Sequence, residues 1–134
     1  MAGTFQLEIA TPERLLLRED VAEAQIPAAS GYLGILPEHA PLLAEMGIGE
    51  LAFTVQGRTQ RLAVSGGWVE VLEGHVRVLV DSAELPADID VGRALAALKR
   101  AEERLGKPDP GIDAGRALNA MKRAQARLAV AAAK

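Results

Sequence analysis

Ile89-Asp90-Val91-Gly92-Arg93-Ala94-Leu95-Ala96-Ala97-Leu98-Lys99-Arg100-Ala101-Glu102-Glu103-Arg104-Leu105 is written twice in this chain. The second copy is Ile112-Asp113-Ala114-Gly115-Arg116-Ala117-Leu118-Asn119-Ala120-Met121-Lys122-Arg123-Ala124-Gln125-Ala126-Arg127-Leu128. Twelve of the 17 positions are identical, which makes this an internal repeat. Val91, Ala94, Leu95, Leu98, Ala101 and Leu105 recur at three- and four-residue intervals, and the second copy repeats them. Each copy therefore reads as an amphipathic helix. Two copies are too few for a solenoid, and Gly106-Lys107-Pro108-Asp109-Pro110-Gly111 breaks the chain between them. The natural arrangement is an antiparallel helical hairpin. Asp88 is placed to cap its first helix, with Asp90 in the first turn. The shared stripe is rich in Ala, so the helices can approach closely but bury little. Such a hairpin is expected to be marginal, ready to open for a few kcal/mol.

The chain before the repeat reads as strands. Phe5, Leu7 and Ile9 alternate with Gln6 and Glu8, the period of a half-buried strand. Arg14–Leu17, Val21–Ile26, Leu51–Val55, Arg58–Val64, Trp68–Leu72 and His75–Val80 follow, with turns at Pro27–Gly31, Gln56-Gly57 and Glu73-Gly74. Ser65-Gly66-Gly67 is read as a break between strands. Strands at such short, regular spacing point to a β-sandwich or small barrel. Residues 1–84 thus form a β domain and 85–134 a helical one. The stretch Gly31–Leu43 is too punctuated by Gly and Pro for a helix and too apolar for a free loop. It either packs at the end of the sheet or docks on a partner.

Composition excludes more than it selects. There is no Cys and there are two His, so disulfides, thiol nucleophiles and zinc sites fall away. No glycine-rich phosphate loop is complete; Gly47-Ile48-Gly49 reads as a turn. No nucleophile–base pair can be assembled, and His39 is a lone histidine that reads best as a surface or interface contact. Trp68 and Tyr32 read as core or interface anchors, and aromatics are too few for single-stranded nucleic-acid binding. No signal peptide or membrane span is read, which points to the cytosol or to the cytosolic side of a membrane machine. The net charge of −3 is unevenly spread: residues 1–87 sum to −7 and 88–134 to +4. An acidic body with a basic arm suggests an anionic partner for the arm; a solvated helix face reads equally well.

The arginines refine that choice. Arg93, Arg100 and Arg104 share one helix face, and Arg116, Arg123 and Arg127 repeat the spacing. In a hairpin centred near Pro108, Arg93 is level with residue 124, so Arg93, Arg123 and Arg127 can converge. Arg100 sits roughly 9 Å further along the axis. Guanidinium forks match phosphate oxygens, and Asp90 and Glu84 could accept from an amine or a ribose. Ion pairing among these same residues is the alternative.

Three stretches stand out together: Gly31-Tyr32-Leu33-Gly34-Ile35-Leu36-Pro37-Glu38-His39-Ala40-Pro41-Leu42, Ser65-Gly66-Gly67-Trp68-Val69-Glu70-Val71, and Val78-Leu79-Val80-Asp81 with Ala83-Glu84. Through them, and through its order of sheet then helical hairpin, the chain resembles the epsilon subunit of F-type ATP synthases along essentially its full length. The resemblance implies a ten-stranded β-sandwich followed by two antiparallel helices. It implies a non-catalytic rotor subunit without a catalytic cofactor, peripheral on the cytoplasmic side of the bacterial inner membrane. The implied partners are the gamma subunit and the c-ring, with no nucleic acid and no direct membrane insertion. Tyr32, Leu33, Ile35, Leu36, Pro37, Glu38, His39, Pro41 and Leu42 are the implied contacts of the rotor end. The arm would inhibit ATP hydrolysis by rising into the alpha and beta subunits of the catalytic headpiece, through Arg116, Lys122, Arg123 and Arg127.

A narrower resemblance concerns Ile89-Asp90-Val91-Gly92-Arg93-Ala94, which is similar to the Ile/Leu-Asp-x-x-Arg-Ala motif of epsilon subunits that bind ATP. It implies ATP as a regulatory ligand held by Glu84, Ile89, Asp90, Arg93, Ala94, Arg100, Arg123 and Arg127. Gly92 replaces the bulkier residue often found in the motif. With ATP bound, the hairpin would stay folded. Opened into one rod, residues 89–134 would reach about 70 Å, against about 25 Å for one helix. Two rivals remain: an epsilon subunit without ATP sensing, and a free-standing sandwich whose arm binds an anionic partner such as RNA.

Overall fold

The computed structural model describes residues 3–107 and 109–133. The outermost terminal residues and Pro108, at the centre of the expected hairpin loop, lie outside the described residues. Eight strands precede two helices: β1 (Phe5–Ala10), β2 (Leu15–Val21), β3 (Glu23–Ala28), β4 (Gly31–Ile35), β5 (Leu42–Glu45), β6 (Ile48–Val55), β7 (Arg58–Leu72) and β8 (His75–Glu84), then α1 (Val91–Leu105) and α2 (Ala114–Ala132).

The sandwich is built by strands that turn a corner. The first half of β7 pairs with β6, Val55 opposite Arg58 through Ile48 opposite Ser65. Its second half pairs in the same register with β5, Glu45 opposite Trp68. Strand β8 runs antiparallel to β7 from Leu72–His75 to Ala63–Glu84 and pairs in parallel with β1. One layer is therefore β2-β1-β8-β7-β5, and the other is β4-β3-β6 with the remaining halves of β7 and β8. Ten strands were expected and eight are found. The two long strands each serve both layers, so eight continuous strands supply two sheets.

Gly66-Gly67 is where this happens, and the expected break there is instead a bend inside one strand. Gly66 has φ +69° and Gly67 φ +107°. A Cβ on Gly67 would stand 1.9 Å from the carbonyl oxygen of Leu79, so only glycine lets β7 bend this close to β8. Gln56-Gly57 and Glu73-Gly74 turn as expected.

Alternation fills the space between the layers. Leu7, Ile9, Val69, Val71, Val76 and Val78 face Ile26, Leu51, Phe53, Leu62 and Val64 in one core. Tyr32 and Trp68 are not part of it; both are more than half exposed.

The helices pack as the repeat dictates. Ala94 and Ala101 of α1, and their counterparts Ala117 and Ala124 of α2, are all buried. The seam is thus an alanine seam, while Val91, Leu95, Leu105 and Leu118 stay substantially exposed. Each helix is capped by the same device. Asp90 accepts from the backbone N–H of Arg93 at 3.1 Å, and Asp113 from that of Arg116 at 3.1 Å. Asp90, rather than Asp88, is therefore the cap of α1; Asp88 belongs to a preceding 3₁₀ turn over Pro86–Asp88. Only α2 lies on the sandwich. Ala126 and Val130 pack with Ala63 and Ile89, where α1 would present Glu103 at the repeat position of Ala126 and ends, at Leu105, short of the counterpart of Val130.

Candidate functional site

The start of α1, the end of β8 and the later part of α2 meet in a cleft of about 230 Å³. Glu84, Asp88, Asp90, Arg93, Ala94, Ala97, Arg100 and Arg127 line it. Three guanidiniums and three carboxylates face one space. The cap on α1 fixes Asp90, since one carboxylate oxygen is held by the helix and the other is free. Glu84 comes from the last residue of β8, so its position is set by the sheet. Arg127 Nε donates to Glu84 Oε1 at 2.5 Å, the one ion pair in the cleft among the described residues. Both side chains remain about one-third exposed, so the pair is worth at most about 1 kcal/mol.

Of the residues singled out in the sequence, the fold brings Glu84, Asp90, Arg93, Ala94, Arg100 and Arg127 together here. Arg123 does not line this cleft. It shares a narrow crevice under α2 with Glu84 and Arg127, borders a second cleft near the hairpin loop, and lines a third space between α2 and Gly47. The Ile89 side chain is buried under α2 with Ala126 and Val130. Of the two α2 arginines expected level with Arg93, Arg127 lines this cleft and Arg123 borders the adjoining crevice. Arg123 occupies the repeat position of Arg100, on the opposite side of the seam.

Chemically, the cleft suits a ligand with both anionic and donor groups. Guanidiniums take phosphate oxygens; Glu84 and Asp90 can take an amine or hydroxyls once Arg127 turns to the anion. At about 230 Å³ it is smaller than typical small-molecule pockets of about 300–1,000 Å³, so a nucleotide would remain partly in water.

In the segment expected to meet the rotor, Tyr32 and Leu36 are 57% and 60% exposed, Glu38 and Pro41 are exposed, and Leu33, Pro37, His39 and Leu42 are half-buried. Ile35 is in the core and offers no surface, because β4 turns it inward. The Tyr32 hydroxyl accepts from the Glu50 N–H at 3.1 Å, and His39 Nδ1 lies 2.8 Å from the Ala40 carbonyl. A second exposed apolar surface was not foreseen. The cross-strand row Trp68–Leu79–Ala10–Leu15 runs over the outside of the first layer, with Trp68 53% and Leu79 48% exposed. Its signal is present in the sequence: both residues hold outward positions of otherwise regular alternation.

Comparison with known proteins decides the family. Residues 4–86 match the profile described as ATP synthase, Delta/Epsilon chain, beta-sandwich domain, and residues 87–132 the one described as ATP synthase, Delta/Epsilon chain, long alpha-helix domain. The ATP synthase epsilon chain of Solibacter usitatus is 54% identical over 112 residues, 84% of each chain. This chain belongs to the ATP synthase epsilon family. The epsilon chain of Koribacter versatilis is 51% identical over 82% of this chain and 78% of its own length. That of Desulfitobacterium hafniense is 46% identical over 78% of this chain and 80% of its own. An epsilon chain is a non-catalytic subunit of ATP synthase, and membership replaces the free-standing RNA-binding alternative.

The fold of this epsilon-family chain recurs in solved assemblies. A chain of the Euglena gracilis mitochondrial ATP synthase (OSCP/F1/c-ring) superimposes with a TM-score of 0.83 at 22% identity, over 97% of this chain and 82% of that one. A chain of the Tetrahymena thermophila mitochondrial ATP synthase central stalk and c-ring gives 0.58 at 15% identity, over 95% and 96%. No helix among the described residues is long and apolar enough to cross a membrane.

Proposed function

We propose that this epsilon subunit works in the central stalk of its synthase, joins the gamma subunit to the c-ring, and carries an arm whose folding is biased by ATP. The observation that carries the sensor is the cleft between hairpin and sandwich. It gathers Arg93, Arg100 and Arg127 with Glu84 and Asp90 from both helices and the end of β8. A ligand spanning those three elements stabilises the docked hairpin and nothing else. Binding exchanges the weak Arg127–Glu84 pair for guanidinium–phosphate contacts and releases Glu84 to accept from the base or ribose. ATP at ten times its dissociation constant favours the docked arm by about 1.4 kcal/mol. The alanine seam makes so small a bias useful, because few apolar atoms resist opening.

The released arm would carry Arg116, Lys122, Arg123 and Arg127 toward acidic segments of the alpha and beta subunits. In the docked state Arg116 and Lys122 are exposed, whereas Arg127 is held by Glu84. Docking therefore removes part of the inhibitory charge from reach. The exposed apolar residues of the sandwich support the rotor contacts: Tyr32 and Leu36 in the Gly31–Leu42 segment, and the Trp68–Leu79–Leu15 row on the outer face. The subunit would be peripheral to the membrane, on the cytoplasmic side.

Calorimetric titration of the isolated protein with ATP and ADP tests the sensor, with Arg100→Ala as the variant. A preference for ATP that weakens in the variant supports it. No binding at millimolar ATP would leave the family assignment standing and remove the sensor.

A further inference from the structure

The helical repeat builds a second cleft that is the near two-fold counterpart of the first. Rotating the hairpin onto itself carries each residue of α1 to the one 23 positions later, and each residue of α2 to the one 23 earlier. Asp90, Arg93, Ala94, Ala97 and Arg100 become Asp113, Arg116, Ala117, Ala120 and Arg123; Arg127 becomes Arg104. Those six residues line one space of about 690 Å³ near the hairpin loop. The entry turn is repeated as well. Ile89 N–H donates to the Pro86 carbonyl at 3.4 Å, and Ile112 N–H to the Asp109 carbonyl at 3.0 Å.

The two clefts differ in charge. In the first, Glu84 and Asp88 accompany Asp90, and Glu84 neutralises Arg127. At the matching positions of the second copy stand Lys107 and Gly111. No carboxylate lies within ion-pairing distance of Arg104, Arg116 or Arg123 among the described residues. Asp113 is the sole acid lining the cleft, and its carboxylate caps α2.

We infer that this second cleft binds a di- or triphosphate group through Arg104, Arg116 and Arg123. With one carboxylate instead of three, it reads the phosphate chain and discriminates little between bases. The consequence for the arm is direct. The cleft joins the last turn of α1 to the first turns of α2. In one continuous rod Arg104 and Arg116 would stand about 18 Å apart. A phosphate chain held by both therefore favours the hairpin over the rod. This holds whether or not ATP occupies the first cleft.

Amide NMR of the full chain, titrated with inorganic tripolyphosphate and separately with ATP, tests it. Sodium chloride of matched ionic strength is the screening control. Tripolyphosphate is expected to shift the Gly111, Asp113 and Asn119 amides saturably at millimolar concentration. Arg116→Gln should weaken that by about fivefold, the loss of one charge-assisted contact at an exposed site. Arg93→Gln, in the first cleft, should leave it unchanged. Equal midpoints for tripolyphosphate and ATP at these amides assign the phosphate chain as the whole recognition element. A tighter midpoint for ATP would overturn base indifference. Absence of saturable shifts, equal weakening by both variants, or the same shifts with sodium chloride would overturn the site. Failure of ATP to shift the Ala94 and Ala97 amides would sink the first-cleft sensor alone.

Discussion

Val130→Ala should loosen the arm from the sandwich without disturbing either half. Val130 is fully buried, and it lies with Ala126, Ala63 and Ile89 in a small cluster separate from the main core. The substitution removes two carbons from that cluster, about 1.6 kcal/mol at about 0.8 kcal/mol per carbon, before any cavity is counted. Alanine's better helix propensity favours the docked helix and the released helix alike, so it cancels. The ratio of docked to released arm should therefore fall about fifteenfold, slightly more than ATP at ten times its dissociation constant restores. The chain has no Cys, so Gln60→Cys on β7 and Lys99→Cys on α1, both exposed, give two unique spin-label sites. Electron-resonance distance distributions then report docked and released populations directly. Leu95→Ala, on an exposed face of α1, serves as the neutral control. A Val130→Ala distribution that matches the control would refute the reasoning. The small cluster would then not be what holds the arm down.

Other expectations follow from single positions. Arg100→Ala should weaken ATP binding by about tenfold, the scale of one charge-assisted contact to phosphate, while Arg123→Ala should weaken it less, because Arg123 lies outside the first cleft; calorimetry compares them. Gly67→Ala should destabilise the sandwich by more than about 3 kcal/mol, since both the φ of +107° and the 1.9 Å approach to Leu79 oppose a Cβ; urea unfolding measures this. Glu8 is packed against neighbours that raise its pKa by desolvation, but Arg18 and His75 outweigh this and hold the carboxyl below its usual range. His75 Nε2 lies 2.6 Å from Glu8 Oε1, close enough to favour the carboxylate both by charge and by hydrogen bonding. Glu8 therefore adds stability above its unfolded-state pKa and loses it as pH falls through the folded value; Glu8→Gln should flatten the acid limb of a stability-versus-pH curve.

The sequence made the sandwich legible because alternation records which face of each strand is buried. It split β7 in two because a bend and a break leave the same mark, a pair of glycines; the count of ten strands came from the family resemblance. Only the register of Gly67 opposite Val80, unbroken from Ser65 opposite Ser82, shows that β7 continues. The candidate cleft was legible for a different reason. Asp90, Arg93 and Arg100 are fixed on one helix by spacing alone, and Glu84 by the end of β8. That Arg123 borders the adjoining crevice rather than this cleft was not legible, because level pairing gives height along a hairpin and not the side of the seam. Leu95 misled in the same way: its stripe is wide enough for two contact lines, and the helices chose the alanines, which allow closer approach.

The repeat explains both what the arm is and how it acquired a direction. Two identical helices would form a symmetric hairpin with two equal faces and no reason to dock by one of them. Divergence at three places breaks that symmetry. Glu103 of α1 corresponds to Ala126 of α2, and α1 ends at Leu105, short of the counterpart of Val130, so α2 is the helix suited to lie on Ala63 and Ile89. Glu84 corresponds to Lys107, so one arginine cleft is balanced by carboxylates and the other is left cationic. The alanines common to both copies keep the seam thin, which leaves docking to a few apolar atoms and an exposed ion pair. A contact set of that size is comparable with what one small anionic ligand contributes. Under the proposed switch, ligand concentration would move the arm while the sandwich, with its separate and larger core, stays folded.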